Sequence, residues 1–169
     1  ANRDFDRGRG VCLYTTKMRQ SLLRYKYYGS REYGEYYAAC ICSYMEREIR
    51  AWNPDLIIPV PMYPRKQRER GFNQAADLSA KVGKCLGIPT ADWIVQKTQN
   101  TKSQKKLNAV ERKQNLRAAF RVTERIDGLR ILVLDDVYTT GSTIEALAHV
   151  LREAGASRVF FVTLCMGII

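Results

Sequence analysis

ILVLDDVYTTGST (131–143) runs four aliphatic residues into two adjacent aspartates, Asp135 and Asp136, and then into small hydroxylated residues around one glycine. A continuous apolar run marks a strand buried on both faces, as in a parallel sheet. Like charges side by side at its end repel and are costly to desolvate, so something must neutralise them. Downstream, Ile144, Leu147, Ala148 and Leu151 fall on one helical stripe that ends at Gly155, and RVFFVTLC (158–165) reads as a second buried strand. Strand, helix, strand with both strands apolar is a parallel βαβ unit, which sets the class as α/β.

Working outward, DLIIPVP (55–61) is another short apolar strand ended by prolines. A polar loop follows, MYPRKQRERG (62–71), and then a helix on which Ala75, Leu78, Val82 and Leu86 recur before Gly87. A weak strand lies around Trp93 to Val95. Residues 98–117 form a long polar, basic connection, helical in its second half, before the strand AAFRV (118–122). On the N-terminal side, TKMRQSLLRYKYY (16–28) reads as an amphipathic helix with Leu22, Leu23 and Tyr27 near one face, stopping at Gly29. A second helix spans Glu32 to Trp52, broken by Asn53-Pro54. The expected organisation is an N-terminal helical segment, 1–53, on a core, 54–169, in one compact domain.

The 169 residues carry 28 Lys and Arg against 17 Asp and Glu, a net charge of +11. That favours polyanionic partners, nucleic acid or small phosphorylated molecules, over the plain alternative of a basic solvated surface only once a site is found. No apolar run approaches the roughly 20 residues of a membrane span, and ANRDFDRGRG lacks the apolar core of a signal peptide. Membrane insertion is therefore not expected, and a cytoplasmic location is. The five cysteines include no C-x-x-C pair, which argues for free thiols over zinc; Cys40-Ile-Cys42 is either a redox pair or two packed thiols on a helix. Six tyrosines lie between Tyr25 and Tyr37, interleaved with Arg24, Lys26 and Arg31. They read as core packing or as a surface on which bases stack.

In a parallel α/β sheet, ligands bind beyond the C-terminal ends of the strands. Asp135 and Asp136 sit at such an end, and Thr139-Thr140-Gly141-Ser142-Thr143 leads directly into a helix N-terminus. Free backbone N–H groups and the helix dipole there suit a phosphate. No Gly-Lys-Ser/Thr follows, so this is not the nucleotide-triphosphate P-loop. Carboxylates beside a phosphate cradle fit a ribose 5-phosphate, whose hydroxyls donate to the acids. Alternatively the acidic pair holds Mg²⁺ for phosphoryl chemistry.

The same stretch resembles the phosphoribosyl-pyrophosphate (PRPP) motif of type I phosphoribosyltransferases: a hydrophobic strand, two acids, then T-T-G-x-T. IIPVPMYPRKQRERGFNQA (57–75), the spaced residues Thr101, Gln104, Leu107, Arg112 and Asn115, and Ala119-Phe120 are similar to the ComF family, phosphoribosyltransferase-like proteins of bacterial competence. YKYYG (25–29) is similar to that family's K-Y-x-G element. Members commonly begin with a cysteine-rich zinc-binding segment, which this chain lacks unless Cys12 is its remainder.

The resemblance implies a type I phosphoribosyltransferase-like parallel sheet flanked by helices, with the N-terminal helices as a hood. It implies that Asp135 and Asp136 contact the ribose hydroxyls and serve Mg²⁺ through PRPP or water. The loop of Tyr138, Thr139, Thr140, Gly141, Ser142 and Thr143 would bind the 5-phosphate. Pro61, Met62 and Tyr63, with Arg65, Lys66, Arg68 and Arg70 just beyond, would take the pyrophosphate. Residues 97–112 would be the loop that closes over PRPP, with Lys97, Lys102, Lys105, Lys106 and Arg112 as donors and Thr101 and Gln104 matching the family pattern. Asp135, Asp136, Lys97 and Arg112 are then the candidate catalytic residues. Phe72 is a core anchor or a base stacker, and Asn73 a helix cap. The expected partners are PRPP or a nucleotide containing ribose 5-phosphate, single-stranded DNA, a competence helicase, and a second copy in a homodimer. The expected activity is Mg²⁺-dependent transfer of ribose 5-phosphate to an acceptor with release of pyrophosphate; the alternative is a non-catalytic module acting with single-stranded DNA.

Overall fold

The computed structural model describes residues 3–28, 32–101 and 107–167. In chain order the elements are β1 (Arg7–Leu13), α1 (Thr16–Tyr27), α2 (Glu32–Trp52), β2 (Leu56–Pro59), α3 (Pro64–Arg70) and α4 (Gln74–Leu86). They continue as β3 (Val95–Lys97), α5 (Ala109–Ala118), β4 (Phe120–Val122), β5 (Arg130–Tyr138), α6 (Ser142–Glu153) and β6 (Arg158–Met166).

Strands β1, β6, β5 and β2 form, in that order, a sheet in which every pair is parallel. The alternation of side chains along β5 divides the core in two. Leu132 and Leu134 face α1, α2 and α4 and join Tyr25, Tyr37, Ile41, Ile49, Leu78 and Val82. Ile131 and Val133 face the other way and join Ile144, Leu147 and Leu151 of α6, with Val95 and Phe120 of the β3–β4 hairpin. The chain is thus α/β, a parallel sheet flanked by helices. No helix among the described residues is long and apolar enough to cross a membrane.

Helix α4 starts where Asn73 accepts hydrogen bonds from the backbone N–H groups of Ala75 and Ala76, and ends at Gly87 in the left-handed conformation. The expected cap at Asn73 is therefore present. Helix α6 differs: Gly141 precedes it with φ 80° and has no side chain to cap it, and only the Ser142 N–H meets a side chain, the Thr140 hydroxyl at 3.4 Å. A Cβ at Gly141 would also stand 2.2 Å from Tyr138 Oη, so both the backbone angle and the close approach require glycine.

Four expectations are corrected. Residues 62–71, read as a polar loop, contain α3, because Pro64 is preorganised at the first helical position and Gly71, with φ 91°, ends the helix. The buried face of α1 is Leu22 and Tyr25; Leu23 and Tyr27 are exposed. Tyr25 goes inside because its hydroxyl finds the Asp77 carboxylate of α4, so burial leaves no donor unpaired. The weak strand near residue 93 is β3, placed off the main sheet against β4 in antiparallel pairing. Finally, Arg7–Leu13 adds a strand to the sheet edge where no strand was expected. It is latched at its start by Asp6, which accepts from Arg158 Nη1 at 2.8 Å and from the Val159 N–H at 2.9 Å. Burial opposes ionisation of Asp6, but the Val159 hydrogen bond and the adjacent arginines hold its carboxyl below the ordinary value. The expected helix stop at Gly29, and Arg31, lie outside the described residues.

Cys40 and Cys42 do not pair: Cys42 is buried, with its thiol pushed up to about 12 by burial and by Cys85 beside it. Of the tyrosines, Tyr25 and Tyr37 are core, whereas Tyr27, Tyr28, Tyr36 and Tyr44 are exposed.

Candidate functional site

The C-terminal ends of β5 and β2 open into a cavity of about 590 Å³. Its floor is Asp135 and Asp136; its walls are Val60 to Tyr63 after β2, Arg65, Lys66, Glu69 and Arg70 of α3, Asn73 and Gln74 of α4, Lys26 of α1, and Lys97, Asn100 and Thr101 after β3. Strand twist and the αβ crossover bring these segments together although more than a hundred residues separate Lys26 from Asp136.

The two acids are fixed differently. Asp135 is half-buried, and its Oδ1 accepts the Asp136 N–H at 2.8 Å. Asp136 is only 5% exposed; its Oδ1 accepts the Val137 N–H at 2.9 Å and its Oδ2 lies 2.6 Å from Lys26 Nζ. Burial and the neighbouring Asp136 charge raise the Asp135 pKa well above 3.8. Burial also disfavours the charge on Asp136, but the Lys26 ammonium outweighs it and holds that carboxyl below the ordinary range. One acid is thus neutralised by the chain itself, and the other waits.

Above them stands a ring of cations. Arg70 donates to Gln74 Oε1 at 2.6 Å and to Tyr27 Oη at 3.0 Å, with its guanidinium 4.9 Å from the centre of the Tyr27 ring. Arg65 pairs with Glu69 on an exposed face. Burial, and then the Lys66 charge, pull the Lys97 ammonium below its ordinary value, with Asp135 acting in the opposite sense. Asn73 holds the rim: its Nδ2 donates to the Val60 carbonyl at 3.1 Å while its oxygen caps α4. Phe72 is half-buried with its ring edge-on to Tyr25, 5.4 Å between centroids, which favours the anchor reading.

Of the residues read from sequence, the cavity unites Asp135, Asp136, Pro61, Met62, Tyr63, Arg65, Lys66, Arg70, Lys97 and Thr101. Arg112 and Ser142 line a second cavity of about 480 Å³, which shares Asn100 and Thr101 with the first. Thr139 and Thr140 are exposed on the loop, where the Thr140 and Ser142 hydroxyls lie 3.0 Å apart, and Thr143, in the first turn of α6, is half-exposed. Tyr138 lies in the core, stacked on Phe161 with centroids 4.9 Å apart, so its ring supports the loop from below. Arg68 is exposed and does not line the cavity. Gln104, Lys102, Lys105 and Lys106 lie outside the described residues.

Sequence reasoning missed Lys26, Gln74, Glu69 and Asn100. Lys26 had a signal, the YKYYG element, but was weighed there as a nucleic-acid contact. Among the described residues no cluster of three His, Cys, Asp or Glu is arranged to hold a metal. The donor set fits Mg²⁺ only as a partner of a bound phosphate: Asp135 has one uncommitted oxygen to offer, and Mg²⁺ commonly takes one or two carboxylates with the rest from phosphate and water.

Residues 36–168 match the phosphoribosyl transferase domain, and the chain belongs to that family. Its curated relatives narrow the likeness. Competence protein F of Haemophilus influenzae is 38% identical over 109 residues, 63% of this chain and 48% of that protein. DNA utilization protein YhgH of Escherichia coli K12 is 38% identical over 112 residues, 66% of this chain and 49% of that protein. Competence protein ComFC of Bacillus subtilis is 29% identical over 150 residues, 87% and 58% respectively. The chain spans about half the length of the first two. Among solved structures, a purine phosphoribosyltransferase from Pyrococcus horikoshii Ot3 aligns at TM-score 0.48 and 16% identity, over 83% of this chain and 74% of that one.

Proposed function

We propose that the cavity binds PRPP and that the chain transfers its ribose 5-phosphate to an acceptor, releasing pyrophosphate. The observation that carries this reading is the union, at the C-terminal end of one parallel sheet, of an uncommitted acid, Asp135, with cations from three separate elements, Lys26, Lys66 with Arg70, and Lys97. Hydroxyl donors suit the acid, and a diphosphate suits the cations. Asp135 accepts from the ribose hydroxyls. The first turn of α6, with Thr139, Thr140, Gly141, Ser142 and Thr143, takes the 5-phosphate. Lys66, Arg65 and Arg70 hold the pyrophosphate, and Lys97, close to both Lys66 and Asp135, stabilises it as it departs. Arg112 reaches the same ligand from the neighbouring cavity. Mg²⁺, when bound with the pyrophosphate, neutralises part of its charge. The N-terminal segment 1–53 serves as the hood, with α1 supplying part of the wall, and the setting is cytoplasmic.

The test is calorimetric titration of PRPP with Mg²⁺, followed by pyrophosphate release across a panel of purine and pyrimidine bases. Saturable binding with release for one base supports transfer; binding without release for any base favours the second reading.

That second reading is a PRPP-sensing module acting with single-stranded DNA. It is favoured by the exposed Tyr28, Tyr36 and Tyr44 and the exposed Arg24 on a chain of net charge +11. The names of the relatives point the same way. Charge reversal at Arg24 then weakens binding to an oligonucleotide and flattens its salt dependence. Lys26 is unsuited to that experiment, since it is committed to Asp136.

A further inference from the structure

None of the five cysteines lines the cavity at the end of β5, and two of them meet across the sheet. Cys12 of β1 and Cys165 of β6 are direct partners in the parallel register, and their sulfurs lie 3.3 Å apart. Both belong to the core side that α1, α2 and α4 cover: Cys165 is fully buried, and the half-buried Cys12 packs against the same cluster. Neighbouring strands stand about 4.8 Å apart, inside the roughly 4.4–6.8 Å that separates the Cα atoms of disulfide-linked residues. Bonded sulfurs lie at about 2.0 Å, so roughly 1.3 Å of approach closes the gap.

The two thiols are unequal. Cys12 sits on an edge strand, which pairs with β6 on one side and with no other strand among the described residues. Its Sγ donates to the Leu164 carbonyl at 3.1 Å. Cys165 is enclosed between β1 and β5, opposite Val137, the residue after Asp136. Burial, and then the Cys12 sulfur, push its thiol up, with the Asp136 charge acting in the same sense. A thiol held protonated is a poor first attacker; it suits the second step, in which its neighbour already carries a leaving group.

We propose that Cys12 and Cys165 are a reversible disulfide site, oxidised by a small organic disulfide, with Cys12 as the attacking thiol and Cys165 as the resolving one. Cys12 gives up its proton and its sulfur attacks one sulfur of the reagent RSSR. The S–S bond of the reagent breaks, and RSH leaves with that proton. The Cys165 sulfur then attacks the Cys12 sulfur, the bond from Cys12 to SR breaks, and a second RSH leaves with the Cys165 proton. The cysteines together lose two electrons and RSSR is reduced to two RSH. In a reducing setting the pair rests as two thiols. The bond ties β1 to β6 just before the chain turns through Thr15, the cap of α1, into the helix that brings Lys26 to the cavity wall. It secures an edge strand held on one side only, and it does so whatever the cavity binds.

The test incubates the folded chain with oxidised glutathione and maps its disulfides by mass spectrometry of non-reduced peptides. The wild type should yield an internal bond between Cys12 and Cys165 that dithiothreitol reverses. Its melting temperature should rise by about 5–15 °C, as closing a long loop implies for a chain of this size. Cys12→Ser should show neither the bond nor the rise. In Cys165→Ala the resolving thiol is gone, so Cys12 should keep a single glutathionyl group. Cys42 lies beside the exposed Cys85 and offers the oxidant a second pairing. An internal bond that maps only to Cys42 and Cys85 overturns the proposal, as does an oxidised wild type in which Cys12 and Cys165 remain free thiols. A Cys165→Ala variant whose Cys12 takes up no glutathione overturns the order given to the two thiols.

Discussion

The end of β5 and the segment that follows β2 lie side by side at one cavity and are built on opposite principles. At the end of β5 the acids are sunk into the protein, tied to backbone N–H groups, and one of them is paired with a lysine before any ligand arrives. At the end of β2 the cations ride on the exposed α3, where Arg65, Lys66 and Arg68 are all at the surface and Arg65 is paired only with its helix neighbour Glu69. Exposed pairs of that kind contribute little, about 0.2–1 kcal/mol. The first region holds its geometry by itself; on the second, the cations are left to be engaged by the anion the proposal places there. Substitutions at β5 should therefore change stability and binding together, and substitutions on α3 should change binding alone.

The largest expected effect breaks the pre-built side. Lys26→Met should cost about 3–5 kcal/mol in urea unfolding, because it leaves a buried carboxylate without its partner. Asp135→Asn should separate the two properties: PRPP affinity falls by roughly 100-fold or more, in line with a lost charged contact, while ligand-free stability rises at neutral pH. The sign follows from the raised pKa of Asp135. Its contribution to folding is intact below the ordinary 3.8 and is lost as pH rises toward the raised value. The stability difference between Asp135→Asn and wild type should therefore grow with pH, read as melting temperature from pH 4 to pH 8.

Smaller effects sharpen the contrast. Gly141→Ala forces a side chain into a left-handed turn against Tyr138 Oη and should cost about 1–3 kcal/mol, disturbing the phosphate loop as well. Lys66→Ala on α3 should leave the melting temperature within error yet weaken PRPP by about 10-fold, with a shallower dependence on salt. A Lys66→Ala variant that unfolds early would contradict the division between the two regions.

How much of this was legible in the sequence depends on what each segment spends its residues on. The βαβ unit of 131–165 was readable because a strand buried on both faces must be apolar throughout. The edge strand Arg7–Leu13 was not, since RGRGVCL shows no such run. Gly8 and Gly10 have no side chains to bury, and those of Phe161 and Met166 on β6 lie over them instead. The acid pair and the cations after β2 were visible as local clusters. Lys26 was not placed correctly because its partner is distant in sequence, and a lysine among tyrosines looks the same whether it faces nucleic acid or a buried carboxylate. The face of α1 was misread for a related reason: Tyr25 is buried only because Asp77 waits for its hydroxyl.

The most direct test of the central claim is a calorimetric titration of PRPP with Mg²⁺ into the wild-type protein and into Asp135→Asn, with both shown to be folded. The account predicts one saturable site in the wild type and loss of that site in the variant, at equal or greater thermal stability. Equal binding by both proteins, or none by the wild type, would contradict it.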